Sequence, residues 1–223
     1  MSVPSGRASR RAALRLLTGV LSLAFAGRTL AQPARARPNY EYRAIEPQPV
    51  ANPDRIEVID FFWYGCPYCH QLQPALEAWI KRKPPDVDVR RIPAIFRQSW
   101  NPHARIYHTL ETLGEAARLH QAVYRAYHVD RENLGSAEST ADWAARHGID
   151  RARWLAVYGS PDVDRKVEQS IEATKRYAVQ GTPSLVVDGR YITSTGMSET
   201  VNGVIAILDD VVQIARERRA AAK

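Results

Sequence analysis

The sequence Ile56-Glu-Val-Ile-Asp-Phe-Phe-Trp-Tyr-Gly-Cys-Pro-Tyr-Cys69 changes from a strand-like to a helix-like pattern. Its first half, residues 56–62, is a nearly continuous run of β-branched and aromatic residues, which is typical of a strand buried on both faces of an α/β sheet. From Cys66 onward, apolar residues recur at the spacing of one helix face. They are Cys69, Leu72, Leu76, Trp79 and Ile80. The pattern therefore predicts a strand, a turn and a helix, with both cysteines of the chain at the junction.

The spacing of the two cysteines indicates redox chemistry. Cys66 falls at the predicted helix N-terminus, where unpaired backbone N–H groups and the helix dipole favour an anion and lower a thiol pKa. Cys69 lies almost one turn later, on the side that faces the core, and its sulfur can reach that of Cys66. We therefore predict a redox-active pair in which Cys66 is the exposed nucleophile and Cys69 resolves the mixed disulfide.

Other interpretations of the motif remain open. A static disulfide would close only a short loop and stabilise the fold little. A metal site is disfavoured, because the two cysteines and His70 supply three ligands with no evident fourth. Cys66-Pro-Tyr-Cys69-His70 also matches the attachment motif of c-type haem, with His70 as proximal and Met197 as distal ligand. The position of the motif directly after a buried strand argues against haem.

The first 31 residues have the composition of a secretory signal peptide. They contain five arginines, no acidic residue and a short apolar run at 16–26. That run is too short to cross a bilayer as a helix. We expect export by the general secretory (Sec) route and cleavage after Ala31. The sequence Ser9-Arg10-Arg11 leaves the twin-arginine export route open. Because the leader carries five of the 31 basic residues, the net charge of +7 falls to about +2 without it. Charge then gives no argument for nucleic-acid binding.

The rest of the chain carries weaker strand signals around a long helical segment. We predict further strands at 40–45, 87–92, 184–187 and 191–193. Asp188-Gly189, between the last two, is a hairpin signature. The final apolar pattern, from Val201 to Ala215, predicts a helix with a frayed tail from Arg216 onward.

Residues 99–175 contain little strand signal and several helix starts. The predicted starts are Asn101-Pro102, Ser139 in a capping box with Asp142, Asp150, and Ser160-Pro161. We interpret this segment as a set of short helices inserted into an α/β domain. Five histidines of this segment are interpreted as surface or packing residues: His103, His108, His120, His128 and His147.

A strand, then aromatic residues, then C-P-x-C, then a helix resembles the thioredoxin fold. More narrowly, the chain resembles the DsbA family of thiol:disulfide interchange proteins from about residue 40 to 218. The resemblance implies an α/β fold in which a thioredoxin-like domain, 40–97 plus 177–218, carries an inserted all-helical domain at 98–176. Residues 179–184, Val-Gln-Gly-Thr-Pro-Ser, resemble the family's cis-proline loop.

The resemblance also implies roles for individual residues. Pro183 is expected to be cis and to present the backbone of Thr182 as an edge for an extended client peptide. Asp60 matches the family's buried acid, and we expect it to relay a proton to or from Cys69. Trp63 and Tyr64 are expected to help hold unfolded client chains.

The chain departs from the family between the cysteines. Many DsbA proteins carry a histidine there, whereas this chain has Pro67-Tyr68, and Tyr68 supplies no positive charge. His70 follows Cys69, lies one helical turn from Cys66 and would compensate in part. We therefore expect a less oxidising couple than the strongest family members, with a potential of roughly −120 to −220 mV.

The resemblance implies an exported, periplasmic, monomeric protein that donates its Cys66–Cys69 disulfide to reduced, folding proteins. It further implies reoxidation by a quinone-linked membrane thiol oxidase similar to DsbB, and no metal or organic cofactor. Two alternatives stand beside the haem protein. One is a disulfide isomerase or reductase of the same fold, and the other is a non-catalytic peptide-binding or chaperone module with a structural disulfide.

Overall fold

The structure is a computed structural model that describes residues 35–222. The predicted leader, its cleavage site and its export route lie outside these residues. Among the helices of residues 35–222, none is long and apolar enough to cross a membrane.

Five strands form one mixed sheet in the order β1-β5-β4-β2-β3. Their bounds are β1 Arg43–Ala44, β2 Ile56–Phe62, β3 Val87–Pro93, β4 Ser184–Val187 and β5 Tyr191–Ser194. Strand β2 pairs in parallel with β3 and antiparallel with β4, and every one of its residues is buried. This confirms the strand predicted from the continuous apolar run. The predicted strand at 40–45 is shorter than expected, since only the two residues of β1 pair with β5.

Seven α-helices accompany the sheet within the described residues. Their bounds are α1 Pro67–Arg82, α2 Asn101–Thr112, α3 Ala116–His128, α4 Ala137–Arg146, α5 Arg151–Tyr158, α6 Pro161–Arg176 and α7 Val204–Ala221. Helices α2 to α6 follow one another between β3 and β4. The predicted fold class, a thioredoxin-like sheet interrupted by a helical insertion, is therefore confirmed.

The helix starts follow the predicted chemistry with one exception. Asp150 and Ser160 cap α5 and α6 by accepting hydrogen bonds from N–H groups three residues ahead, at 2.8 and 3.3 Å. The prediction for α4 is wrong, because its N-cap is Ser136 and Ser139 is the third helical residue. Each serine hydroxyl accepts from the other's backbone N–H, at 3.1 and 3.2 Å. Ser136 and Ser139 therefore form a capping box, in which Ser136 is the N-cap and Ser139 the third helical residue.

The β4–β5 hairpin is confirmed. Asp188 and Gly189 have positive φ angles of 55° and 62°, and the N–H of Arg190 donates to the C=O of Val187 at 3.0 Å. Glycine tolerates this conformation without steric cost, and aspartate tolerates it better than most residues.

The expected frayed tail is wrong, because α7 continues to Ala221. Arg216 donates two hydrogen bonds to the carboxylate of Asp86, at 2.9 and 3.0 Å. Arg219 pairs with the buried carboxylate of Asp188. These charged contacts hold the last turns against the sheet.

Helix α1 is held in position by two separate cores. Leu72, Leu76 and Trp79 pack with the apolar face of α7, and the Trp79 indole donates to Asp209 at 2.6 Å. The beginning of the helix, with Cys69, belongs instead to a cluster of aromatic residues supplied mainly by α2 to α5. The helical insertion therefore packs directly behind the cysteine pair.

Candidate active site

Cys66 is the N-cap of α1, with extended backbone angles of φ −87° and ψ 119°. Its backbone N–H donates to the C=O of Trp63 at 3.0 Å, which closes the turn between β2 and α1. Pro67 is the first helical residue, a position where a missing N–H costs nothing. Cys66 and Cys69 are free thiols, so the structure holds the reduced form of the predicted pair. The expectation that Cys66 is exposed is wrong: only 6% of the residue is accessible to solvent, because the Thr182 loop lies against its sulfur.

The pKa of Cys66 is lowered from an ordinary 9.0 to about 6. The largest cause is the hydrogen bond that its sulfur receives from the Cys69 thiol, and the Thr182 side chain and the N–H groups of Cys69 and Tyr68 act in the same direction. Burial opposes these effects. The predicted lowering of the Cys66 pKa is therefore present, but its largest cause is the neighbouring thiol, and the N–H groups of the helix N-terminus contribute less.

Cys69 has the opposite environment. Its side chain is fully buried, and burial raises its pKa well above the usual range. The hydrogen bond and charge of Cys66 and the charge of Asp60 raise it further. One sulfur of the pair is thus a stabilised thiolate and the other a protonated donor.

The loop before β4 lies against Cys66. The Thr182–Pro183 peptide bond is cis, which confirms that prediction. The Cys66 sulfur lies 3.2 Å from the C=O of Thr182. Tyr68, Thr182 and Pro183 line a groove of about 600 Å³ together with Arg43 and Met197. The loop and its groove are therefore positioned beside the nucleophilic sulfur.

Asp60 is fully buried in β2, and its neighbour in the sheet register is Arg91 of β3. The Arg91 Nε lies 3.7 Å from Asp60 Oδ2, while the same guanidinium pairs with Glu77 of α1. Neither oxygen of Asp60 has a partner in hydrogen-bonding geometry among the described residues. Burial raises the pKa of Asp60 to about 6, against the opposing effects of Arg91 and Gln73. Such a carboxyl group changes protonation close to neutral pH.

The two aromatic residues expected to contact clients differ. Trp63 is partly exposed, and its indole stacks on that of Trp100 with ring centroids 3.9 Å apart. Tyr64 is fully buried, and its hydroxyl forms a hydrogen bond with His120 Nδ1 at 2.9 Å. The expectation for Tyr64 is therefore corrected: its side chain is part of the core, because the helical insertion covers it.

Several histidines gather around the active-site turn, which the sequence interpretation missed. His128 Nε2 donates to the C=O of Tyr64 at 2.8 Å, and its ring stacks on that of His70 at 4.9 Å. His120, Tyr124 and His128 recur every four residues along one face of α3, a spacing that would have revealed the cluster.

The haem interpretation is not favoured by the geometry, since His70 and Met197 line different cavities. Residues 35–222 contain no group of three or more His, Cys, Asp or Glu side chains that could hold a metal ion.

Comparison with known proteins connects this geometry to a family. Residues 91–205 match the family model described as DSBA-like thioredoxin domain. The DsbA of Burkholderia cepacia is 33% identical over 207 residues, which cover 92% of this chain and 98% of the relative. The DsbA of Azotobacter vinelandii is 37% identical over 168 residues, 75% of this chain and 78% of the relative.

Solved structures of DsbA proteins have the same fold as this chain. The crystal structure of Pseudomonas aeruginosa DsbA superposes with a TM-score of 0.78 at 33% identity, covering 84% of this chain and 97% of that one. The oxidoreductase DsbA of Xylella fastidiosa has a TM-score of 0.74 at 29% identity, with 79% and 96% covered. Since fold, cysteine motif and sequence similarity over most of the chain coincide, the chain belongs to the DsbA family and is a thiol:disulfide oxidoreductase.

Proposed function

We propose that the protein works as an oxidase, which donates a Cys66–Cys69 disulfide to reduced client proteins. The observation that carries this proposal is the contrast between the two sulfurs. With a Cys66 pKa of about 6, pH 7 gives about ten thiolates for each thiol. A stabilised thiolate stabilises the reduced protein, and a couple whose reduced form is stabilised is a strong oxidant.

The proposed reaction has two exchange steps. A client thiolate attacks the Cys66 sulfur of the disulfide, a client–Cys66 bond forms, and Cys69 leaves as a thiolate. The second client thiolate then attacks the client sulfur of this mixed disulfide, and Cys66 leaves. Two electrons pass from the client dithiol to the cysteine pair. The low pKa of Cys66 makes it a good leaving group in the second step.

Asp60 is proposed to supply the proton that the Cys69 thiolate takes up in the first step. Its negative charge raises the Cys69 pKa, which indicates that the two groups interact. Its own pKa of about 6 lets it hold or release a proton near neutral pH. Arg91 and Glu77 continue from it toward the partly exposed side of α1.

The groove beside Thr182 and Pro183 is the proposed binding site for the client backbone, with Trp63 as an additional contact. Tyr68 forms part of the same groove, and its side chain is half exposed. His70 is proposed to tune Cys66 from the following helical turn, and its stack on His128 supports a fixed position for the ring.

The location and partners are part of the same proposal. We propose export through residues 1–31, by the Sec route in preference to the twin-arginine route, and action as a periplasmic monomer. Reoxidation by a quinone-linked membrane thiol oxidase similar to DsbB would remove the two electrons after each cycle. The redox-active disulfide is the only redox group proposed, without a metal or organic cofactor.

A redox titration of the protein against glutathione, together with thiolate absorbance against pH, tests the direction. We expect a Cys66 pKa near 6 and a potential between roughly −120 and −220 mV. The Cys69→Ser variant serves as the control that assigns the absorbance to Cys66. A potential near roughly −270 mV with an ordinary thiol pKa would contradict the oxidase and favour a reductant.

A further inference from the structure

A second cavity, of about 420 Å³, shares no lining residue with the groove beside Pro183. Its aromatic walls are formed by Trp63, Trp100, His103 and Tyr127. The two indoles are parallel within 2° at 3.9 Å, and the Tyr127 and His103 rings meet edge to face at 4.9 Å. Walls of this kind suit a planar, apolar group. We refer to this space as the aromatic cavity.

The aromatic cavity lies close to the redox centre along the chain, because Trp63 in its wall is three residues before Cys66. Trp63 C=O accepts the hydrogen bond from the N–H of Cys66, and the Trp63 indole covers Gly65 so closely that a Cβ there would overlap the ring. A group bound against Trp63 would therefore lie near a client cysteine joined to Cys66. The cavity is thus within reach of a client segment in the mixed disulfide.

The charges at the cavity are unbalanced. Arg97 lines it, is exposed and forms no ion pair with any residue between 35 and 222, although its guanidinium lies over the Trp100 ring at 5.7 Å. The acid on the same rim, Glu132, is already paired with Arg146. Burial lowers the pKa of His103 to about 4, so this ring is neutral at pH 7. One unpaired positive charge remains.

The polar group that an occupant would meet at this wall is Arg97. The Nε1–H of Trp63 has no acceptor among the described residues, but it is closed off from solvent and does not face the open cavity. The exposed guanidinium of Arg97, beside the face of the Trp100 ring, therefore sets the charge preference of the cavity.

We propose that the aromatic cavity is a second client subsite, which binds an aromatic side chain next to a carboxylate on the client segment held at Cys66. The aromatic ring packs against the Trp63–Trp100 pair, and the carboxylate pairs with Arg97. The inference rests on the proposed oxidase function, since it concerns the clients of that reaction. It makes Arg97 a specificity-determining residue.

Dithiol peptides test this preference with the full mature protein in its disulfide form. All peptides carry the same two cysteines, and they differ only in two neighbouring positions: Phe-Asp, Phe-Asn, Ala-Asp or Phe-Lys. Each oxidation transfers two electrons from the peptide dithiol to the Cys66–Cys69 disulfide. Of the two protons released by the peptide thiols, one is taken up by Cys69 and the other goes to solvent, because Cys66 stays a thiolate above pH 6. We expect the second-order rate constant of Phe-Asp to exceed those of Phe-Asn and Ala-Asp about two- to fivefold, the effect of one exposed ionic or cation–π contact.

The charge-reversal variant Arg97→Glu provides the decisive arm. It should reverse the preference, so that Phe-Lys becomes faster than Phe-Asp by about the same factor. The matched control is Arg153→Glu, which makes the same charge change at an exposed arginine of α5 and should retain the wild-type preference. Oxidation of uncharged dithiothreitol should be equal in all three proteins, and circular dichroism checks that each is folded.

The outcomes separate the inference from the proposed function. An unchanged preference in Arg97→Glu, equal rates for the wild type with all four peptides, or a changed rate with dithiothreitol would overturn the aromatic cavity as a client subsite. If neither dithiothreitol nor any peptide is oxidised by the wild type, the oxidase function itself is contradicted.

Discussion

Cys66 and Cys69 are three residues apart on the same helix, and the protein treats their sulfurs in opposite ways. Cys66 caps α1, faces the Thr182 loop and has its pKa lowered to about 6. Cys69 points into the aromatic core made with the helical insertion, and burial raises its pKa well above the usual range. An offset of almost one helical turn places the two sulfurs in these different surroundings.

The comparison also shows where each environment comes from. The Cys66 thiolate is stabilised chiefly by the Cys69 thiol, with smaller contributions from the loop before β4 and from backbone N–H groups at the helix N-terminus. The surroundings of Cys69 require Asp60 from the sheet and the packed helices of the insertion. The insertion therefore affects the chemistry by burying the second sulfur.

Removing each sulfur in turn has the largest expected effect. Cys66→Ser should abolish disulfide donation to any thiol, because no sulfur then remains at the start of α1 beside the Thr182 loop. Cys69→Ser should also abolish turnover but accumulate a stable mixed disulfide at Cys66. Mass spectrometry after incubation with a client disulfide measures the adduct. Equal adduct yields in the two variants would show that the sulfurs are not distinguished.

Asp60→Asn should have the next largest effect, a change in the free energy of unfolding. The folded-state pKa of Asp60, about 6, is above its unfolded value of 3.8, so the folded state binds more protons between these values. Stability is therefore higher below pH 4 and falls as pH rises through 6. Asp60→Asn should remove this fall and raise the free energy of unfolding at pH 7 by about 1–3 kcal/mol, as measured by urea denaturation.

Asp86→Asn is the control, because the pKa of Asp86 is shifted in the opposite direction to that of Asp60. The Asp86 pKa is lowered, chiefly by the hydrogen bond from Arg216, so its contribution is present at neutral pH and lost as pH falls. Asp86→Asn should lower stability at pH 7. A destabilised Asp60→Asn protein would contradict the view that the charge of Asp60 is held at a cost.

The pH dependence of the reduction potential distinguishes the two sulfurs. Below pH 6, both Cys66 and Cys69 take up a proton when the disulfide is reduced. The reduction potential should therefore fall by about 59 mV for each unit by which the pH rises. Above pH 6, Cys66 stays a thiolate and one proton is taken up, so the slope should be about 30 mV. The same break in Asp60→Asn would assign it to Cys66. A single slope across pH 5 to 8 would contradict a lowered Cys66 pKa.

Thr182 gives the smallest expected effect. Its side chain is one of several groups that lower the Cys66 pKa. Thr182→Val removes the side-chain hydroxyl but keeps the backbone C=O that lies 3.2 Å from the Cys66 sulfur. It should raise the Cys66 pKa by about 0.5–1 unit, the equivalent of one hydrogen bond. Thiolate absorbance against pH measures the shift, and Thr195→Val, elsewhere in the same groove, is the matched control. No shift would mean that the other donors alone hold the thiolate.

The sequence predicted those parts of the molecule whose cause is local. The apolar run of β2, the helical spacing of α1 and the Asp188-Gly189 turn each carry their own signal, and the structure confirms them. The prediction of a frayed tail was wrong because Arg216 and Arg219 form ion pairs with acidic residues that are distant in sequence. These are Asp86 and Asp188. Such contacts leave no periodic signal near the arginines.

The environment behind the redox pair depends on segments far apart in the chain. Tyr64 looked like an exposed aromatic, yet its hydroxyl meets His120 from α3, 56 residues later. The stack of His70 on His128 joins α1 to α3 in the same way. Only the four-residue spacing along α3 was readable in advance, and it shows a shared face without showing what that face covers.

The contact between Gly65 and the Trp63 indole has a consequence for engineering. Mutant libraries that vary the residues around Cys-Pro-Tyr-Cys will include position 65, where every side chain meets the same indole ring. Variants there should be lost through displacement of the ring and of its stack on Trp100, whatever their intrinsic thiol chemistry. A library that holds Gly65 constant will therefore report redox tuning, whereas one that varies it will mostly report steric tolerance.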